Sequence, residues 1–408
     1  MQYATILDPR SARQAAHRSI SLTNDQTAAI RAIKDWFNYR TEEQQVFRVF
    51  GYAGTGKTTL IKYAIDDLGL DSDDPADVNF GTFTGKAAYV LRKKGLPCRT
   101  IHQLIYRLVK TEWGLPAHWE LNEDSVLGGC ELVVLDEVSM VDAEMARDLL
   151  SFGKPVLVLG DPGQLPPIKG AGAFSPHRPD VMLTEIHRQA AESPIIQLAT
   201  IARTGQTIPY GEHGGSVRKV RRREIDTAQL LDADQVICGF NDTRFMLNNQ
   251  MRREAGFEGV LPTGPREKII CLKNYHDRGL FNGMFLELDN IGPSNKPNSF
   301  NAVVRDEEGR AVAGENPETQ ELNTLPLYDG HFLDHQRHDP KRHEKDWKAK
   351  RGLIETTFGY AITCHKSQGS QWDNVIVWDD KLGQTKRDRA QWLYTAITRA
   401  SEALVIAD

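Results

Sequence analysis

The stretch Phe50–Gly51–Tyr52–Ala53–Gly54–Thr55–Gly56–Lys57–Thr58–Thr59 constrains this chain more than any other. A glycine, four further residues and then Gly–Lys–Thr is the spacing of a phosphate-binding loop. Val46, Phe47, Val49 and Phe50 before it read as a buried strand, and 60–65 after it reads as a helix. That is the context in which such a loop works. A tight glycine turn lets backbone N–H groups point at phosphate oxygens, and the helix N-terminus adds a partial positive charge. Gly51, Gly54, Thr55, Gly56, Lys57, Thr58 and Thr59 are therefore candidate nucleotide-binding residues, with Lys57 also a candidate for the chemistry.

Other candidates sit at the ends of later apolar runs. Glu131–Leu132–Val133–Val134–Leu135 reads as a buried strand ending in Asp136–Glu137. A carboxylate at the C-terminal end of a buried parallel strand faces the ligand crevice of an open α/β sheet. Asp136 can hold Mg²⁺ through water, and Glu137 can orient or deprotonate an attacking water. The strand Val156–Asp161 leads into Pro162–Gly163–Gln164–Leu165–Pro166–Pro167, a loop stiffened by proline from which Gln164 can reach a γ-phosphate. Arg188, in Leu183–Arg188, is either a charge donor to that phosphate or an ordinary surface residue. A helix is expected over 24–37, capped by Thr23 or Asn24, with Gln26 in its first turn. The Gln26 amide can pair with an adenine edge, or it can be a plain surface glutamine.

The rest of the chain reads as a second α/β unit with an insertion. Gln235–Asn241 is a strand and Asp242–Arg253 a helix capped at Asn241 or Asp242. Residues 262–351 are polar and carry short apolar runs at 268–272, 284–288 and 302–304, the pattern of a small β-rich module, a barrel. The α/β pattern resumes at Glu355–Thr363, continues through Val375–Trp378 and 389–396, and closes on Ala403–Ile406. His331, His335, His338 and His343 have spacings that zinc sites use. They lack a neighbouring cysteine or an apolar frame, so a solvated, flexible loop is the better reading.

Composition sets outer limits. The chain has 408 residues, 40% hydrophobic and 26% charged, enough for at least two domains with sizeable cores. No apolar run reaches membrane-span length, and Met1–Thr5 lacks a basic start followed by an apolar core, so neither a membrane helix nor a secretory signal is read. Five scattered cysteines without a C-x-x-C pair argue for a reducing compartment and structural thiols. The net charge of −5 gives no support to a basic nucleic-acid binder, although local clusters exist at 92–94, 218–223 and 341–351.

The ordered motifs resemble those of the superfamily 1B DNA helicases, and within them the Dda-type phage helicases and RecD-type enzymes. Gln26 matches the adenine-reading glutamine and Gly51–Thr59 motif I. Thr84–Gly85–Lys86–Ala87–Ala88 looks like motif Ia, Thr100–Ile101–His102 like motif Ib, and Leu135–Met140 like motif II. Gly160–Pro167 is similar to motif III, Ile362–Ser370 to motif V and Leu393–Ala400 to motif VI, while Arg188 falls at the motif IV arginine. The resemblance implies α/β architecture with two RecA-like parallel-sheet P-loop domains. One domain (1A) would span 1–103 and 130–190, and the other (2A) 191–261 and 352–408. A pin hairpin (1B) would occupy 104–129 and an SH3-like module (2B) 262–351.

It also implies an ATP-dependent, DNA-stimulated helicase working with ATP and Mg²⁺, translocating 5′→3′ on single-stranded DNA and unwinding forked DNA. In that scheme Lys57, Glu137, Gln164, Arg188 and Arg399 are catalytic, and Thr58 and Asp136 hold the metal. Thr84, Lys86, Thr100, His102, Thr363, His365 and Ser367 line the DNA track. Trp119 is the aromatic that meets the duplex end, with Trp113 the runner-up and packing within the insert the alternative for either. A monomeric motor in the cytoplasm of a bacterium or phage-infected host follows, in replication, recombination or repair, with a single-strand-binding protein or replisome component as partner and no membrane. One departure is Gln371, where related enzymes have a glutamate two residues after the motif V glycine; it bears on coupling or DNA grip. The competing readings are a single-strand translocase that displaces proteins, a RecD-like subunit of a larger machine, and a P-loop kinase or GTPase, which motif III and Arg399 disfavour.

Overall fold

The computed structural model describes residues 22–109, 118–138, 141–166, 172–174, 178–275, 278–314, 322–337, 342, 346 and 348–408. The side chains of Leu108, His118, Trp119, Arg188 and Gln189 lie outside that description, as do Trp113, His338 and His343. Strands follow in chain order as Val46–Gly51 (β1), Val78–Thr82 (β2), Cys98–Thr100 (β3), Tyr106–Val109 (β4), His118–Leu121 (β5), Leu132–Asp136 (β6), Val156–Gly160 (β7) and Val181–Leu183 (β8). Six of them form one sheet in the order β3-β2-β6-β7-β1-β8, while β4 and β5 pair antiparallel with each other. β1 pairs in parallel with both β7 and β8. Strands covered on both faces need continuous apolar runs rather than alternation, and Leu132–Leu135 and Val156–Leu159 are buried throughout.

The second sheet is built from Gly211–Glu212 (β9), Ser216–Val220 (β10) and Gln235–Cys238 (β11), joined later by Ala361–Thr363 (β17), Trp372–Trp378 (β18) and Ala400–Ala407 (β19). Its order is β17-β11-β18-β19-β10-β9, parallel except at the β9–β10 edge. Between β11 and β17 the chain makes a closed barrel of Lys268–Cys271 (β12), Phe285–Pro293 (β13), Ser299–Arg305 (β14), Leu325–Tyr328 (β15) and Ile354–Phe358 (β16). The return to α/β expected at Glu355 therefore comes later, at Ala361. Ile354–Phe358 closes the barrel against β12 and β15. An apolar strand of that length reads the same in either sheet.

The described chain divides into two compact units. One holds residues up to 81 together with those of 101–162 and 169–191; the other holds those of 82–100, 163–168 and 192–408. In the second, a single apolar core runs from Val236, Leu247 and Met251 of the α/β part to Ile269, Leu286 and Phe358 of the barrel. The helix Asn24–Tyr39 opens on a capping box, in which the Thr23 hydroxyl accepts the Gln26 N–H and the Gln26 side chain accepts the Thr23 N–H. The helix Asn241–Glu254 has no side-chain cap at all, contrary to the expected Asn241 or Asp242.

The expected solvated histidine loop is also corrected. His335 is buried, 3.0 Å from the Thr357 hydroxyl, and burial pushes its pKa down to about 2. His331 lies 2.8 Å from the Glu355 carboxylate, which also pairs with Lys273 and Lys350. Both histidines are thus packed on barrel strand β16. No group of three or more His, Cys, Asp or Glu suited to a metal ion exists among the described residues. No helix among them is long and apolar enough to cross a membrane. All five cysteines are free and buried.

Candidate active site

In the first unit, the helix Lys57–Leu68 starts directly from the loop after β1. Gly56 sits at φ +74°, and a Cβ there would lie 2.5 Å from Gln26 Nε2, so both conformation and space demand glycine. Lys57 Nζ donates to the carbonyls of Gly51 (2.6 Å) and Tyr52 (3.1 Å). The ammonium is thereby held within the loop, and phosphate oxygens would compete for the same donors. Thr58 and Thr59 are half-buried in the first helical turn. Thr55 is fully buried and its hydroxyl donates to Tyr52 O at 2.8 Å, so its side chain is an internal strut of the loop.

The two carboxylates arrive at the same edge of that sheet. Phe50 pairs with Gly160 and Leu135 with Val158, so Gly51, Asp136 and Asp161 all follow the C-terminal ends of parallel strands. Glu137 adopts φ +53°, a left-handed conformation that costs a non-glycine residue about 1–3 kcal/mol. Its N–H donates to Asp136 Oδ1 at 2.8 Å, which holds the turn. Such strain persists where the surroundings over-determine it, most often at a working site. Gln26, expected to face an adenine, has no exposed surface, and its Nε2 donates to Thr55 O at 3.0 Å. Arg188 opens the short helix Arg188–Ala191.

The second unit contributes a different set. The motif III loop is fixed by three side chains, one from motif V, one from motif VI and one just before motif VI. Leu165 N–H donates to Thr395 Oγ1 (2.9 Å), Leu165 O accepts from Gln368 Nε2 (3.0 Å) and Gln164 O accepts from Gln391 Nε2 (3.2 Å). Gln164 itself is buried. Arg399 is buried as well, and its guanidinium donates to Thr395 O, Ser370 O and Thr398 Oγ1 at 3.1–3.2 Å. These acceptors are neutral, so they hold the cation in place without cancelling its charge.

Several expected track residues come together here. Thr84 caps the helix Gly85–Lys93 by accepting the Ala87 N–H at 3.2 Å. Gly369 of motif V, at φ +76°, packs so close that a Cβ would lie 2.9 Å from Thr84 Oγ1. Lys366 Nζ donates to Asn282 Oδ1 of the barrel at 2.7 Å. Lys86 is ion-paired with Glu307, which follows β14. A cavity of about 190 Å³ lies among Gly85, Lys86, Tyr89, Phe281, Met284 and Glu307. Thr363 and His365 are half-buried nearby in the sequence, and burial lowers the His365 pKa.

Two expected phosphate contacts are not presented. Ser367 is fully buried with its hydroxyl donating to Cys364 O at 2.7 Å, and Thr100 is 1% exposed. His102 belongs to the first unit, its ring 5.6 Å from that of Tyr106. Trp119 is on β5 of the hairpin. Sequence reasoning passed over His187, Glu307, Gln368 and Thr395. Gln368 and Thr395 lie inside the motif V and VI segments and His187 directly precedes the motif IV arginine, whereas Glu307 carried no signal.

Comparison with known proteins adds to this geometry. An AAA domain matches residues 21–222, and a UvrD-like helicase C-terminal domain matches residues 358–407. The ATP-dependent RecD2 DNA helicase of Deinococcus radiodurans is 27% identical over 378 residues, covering 86% of this chain and 45% of that protein. The ATP-dependent DNA helicase dda of enterobacteria phage T4 is 30% identical over 177 residues, 40% of this chain and 39% of that protein. The chain thus spans less than half the length of these curated relatives. A Bacteroides Pif1 solved bound to single-stranded DNA has the same fold, with a TM-score of 0.53 at 19% identity over 96% of this chain and 93% of that one. From the order of its motifs and the matched domains at either end, the chain is similar to the RecD- and Dda-type DNA helicases, and its fold is the one seen in the Pif1 structure.

Proposed function

We propose that this chain is an ATP-driven motor that moves 5′→3′ along single-stranded DNA and unwinds duplex ahead of it. The observation that carries the reading is the convergence of the phosphate loop with the strained Asp136–Glu137 turn at one edge of one parallel sheet. Lys57 and the loop N–H groups neutralise the terminal phosphates of ATP. Gln26 braces the loop from within through Thr55 O, and Glu137 receives the proton of the attacking water. Thr58 and Asp136 offer the hydroxyl and carboxylate oxygens that suit Mg²⁺, and a hard oxygen pair without a protein cage is how that ion sits beside phosphates. Mg²⁺ there supplies charge neutralisation. Gln164 and Arg188 sense the γ-phosphate and Arg399 brings a cation from the second unit, so the units close on bound nucleotide and reopen after hydrolysis.

Residues 1–103 with 130–190 then act as domain 1A, 191–261 with the C-terminal α/β segment as 2A, the hairpin as 1B and the barrel as an SH3-like 2B. Thr84, Lys86, Thr363 and His365 hold DNA phosphates without reading sequence, and Trp119 meets the fork. Lys57→Ala is expected to lower single-strand-stimulated ATP hydrolysis by at least about 100-fold while leaving DNA binding measurable. Wild-type protein whose ATPase ignores single-stranded DNA would contradict the reading.

The Lys86–Glu307 pair makes a further prediction. A carboxylate on a track lysine competes with DNA phosphate, so Glu307→Gln is expected to tighten single-stranded DNA binding by about threefold to tenfold at low salt. Fluorescence anisotropy with a labelled oligonucleotide measures this, and the gain shrinks as salt rises.

A further inference from the structure

Two lysines flank one aromatic ring beside the loop that carries Glu307. The ammonium groups of Lys86 and Lys268 stand 5.9 and 5.0 Å from the ring centre of Phe285 on β13. Lys86 is neutralised by Glu307. Lys268, at the start of β12, pairs with no carboxylate among the described residues. Its Nζ donates to Asp234 O (2.6 Å) and Gln235 Oε1 (3.2 Å), both neutral, which leaves the third N–H of the ammonium for a further acceptor. Glu287, opposite Lys268 in the β12–β13 register, is exposed and forms no ion pair with it. Burial holds the Lys268 pKa down to about 8, the mark of a cation that a nearby carboxylate would stabilise.

The loop after β14 is built to present one acid. Asp306 accepts the N–H groups of Glu308 (3.0 Å) and Arg310 (2.9 Å), and Arg310 pairs with both Asp306 and Glu308. Gly309 closes the turn at φ +76°. Two of three consecutive acids are thus neutralised within the turn, while Glu307 reaches out to Lys86. Glu307 also lines a cavity of about 510 Å³ together with Lys268, Phe285 and Tyr360. A carboxylate leaving Lys86 therefore has both room to turn and a second cation beside the same ring.

We propose that Lys268 is a positioning residue for DNA capture: when a DNA phosphate takes Lys86, Glu307 turns into the cavity and pairs with Lys268. At rest Glu307 sits on Lys86 and the Lys268 charge stays open. In the loaded state each lysine holds one anion. Without Lys268 the displaced carboxylate is left part-buried and uncompensated, a cost that opposes DNA binding. Lys268 offsets that cost without touching DNA.

This inference rests on the proposed place of Lys86 on the DNA track. The test measures the Kd for a labelled single-stranded oligonucleotide by fluorescence anisotropy at low salt. The full chain carries Lys268→Met or Lys268→Gln, each with Glu307 native and with Glu307→Gln. Lys268→Gln keeps a donor for Asp234 O and removes the charge. With Glu307 native, both substitutions are expected to raise Kd about threefold to tenfold, an effect that fades as salt rises. With Glu307→Gln no carboxylate needs a new partner, so the same substitutions should change Kd by less than about twofold. Equal losses in the two backgrounds would make Lys268 a direct DNA contact or a support of the fold, and would overturn the inference. So would wild-type affinity in either Lys268 variant. Lys86→Ala, measured alongside, separates this failure from that of the function reading. Unchanged affinity there removes Lys86 from the track and takes the inference with it, whereas weakened binding leaves the track standing whatever Lys268 does.

Discussion

Glu137→Gln is expected to lower the rate of ATP hydrolysis by about 10²–10⁴-fold, the usual contribution of a positioned general base. The substitution keeps the side chain's size and removes only its capacity to take a proton. Glu137 already sits in a strained φ of +53°, held by Asp136 Oδ1 on its N–H, and the backbone requirement is unaltered by the change. The loss should therefore fall on kcat, with nucleotide affinity preserved or raised because bound ATP is no longer consumed. Steady-state ATPase with saturating single-stranded DNA, alongside equilibrium nucleotide binding, reads both quantities. A parallel collapse of binding would instead mean that Glu137 holds the loop together.

Arg399→Ala is expected to cost about 10³-fold in kcat, at the lower end of what an arginine stabilising a phosphoryl transition state contributes. The structure sharpens what such an arginine must do. Its guanidinium is held by Thr395 O, Ser370 O and Thr398 Oγ1, so it is positioned before use, and the neutral acceptors leave its charge available. Thr395 also receives the Leu165 N–H of motif III, which places the arginine and the motif III loop on one support. Arg399→Lys keeps the charge but not the planar fork, and should recover only part of the loss. ATPase rates with and without DNA check this. A drop in thermal stability without a selective loss of kcat would assign Arg399 to packing.

The parts of this molecule written as local chemistry were legible in its sequence. The loop at Gly51–Thr58 must be glycine-rich for its backbone to turn, and Asp136–Glu137 must follow an apolar strand to reach the sheet edge. Residues that work through distant partners left no such trace. His187 reaches Gln26 across 161 positions and Lys86 reaches Glu307 across 221, and neither pairing has a spacing to read. Ser367 misled for a related reason. It looks like a phosphate ligand by type, yet its hydroxyl donates to the carbonyl of Cys364, an option open to any serine or threonine in a turn. Ile354–Phe358 was ambiguous because a buried strand in a barrel and one in an α/β sheet share composition; only its pairing with β12 and β15 separates them.

The central claim, a motor that turns ATP hydrolysis into directional movement on DNA, is tested most directly by unwinding duplexes that carry only a 5′ or only a 3′ single-stranded tail. With ATP and Mg²⁺, strand release is expected from the 5′-tailed duplex and not from the 3′-tailed one, and it should vanish in Lys57→Ala. Release from the 3′-tailed duplex alone, or from neither, would contradict the account.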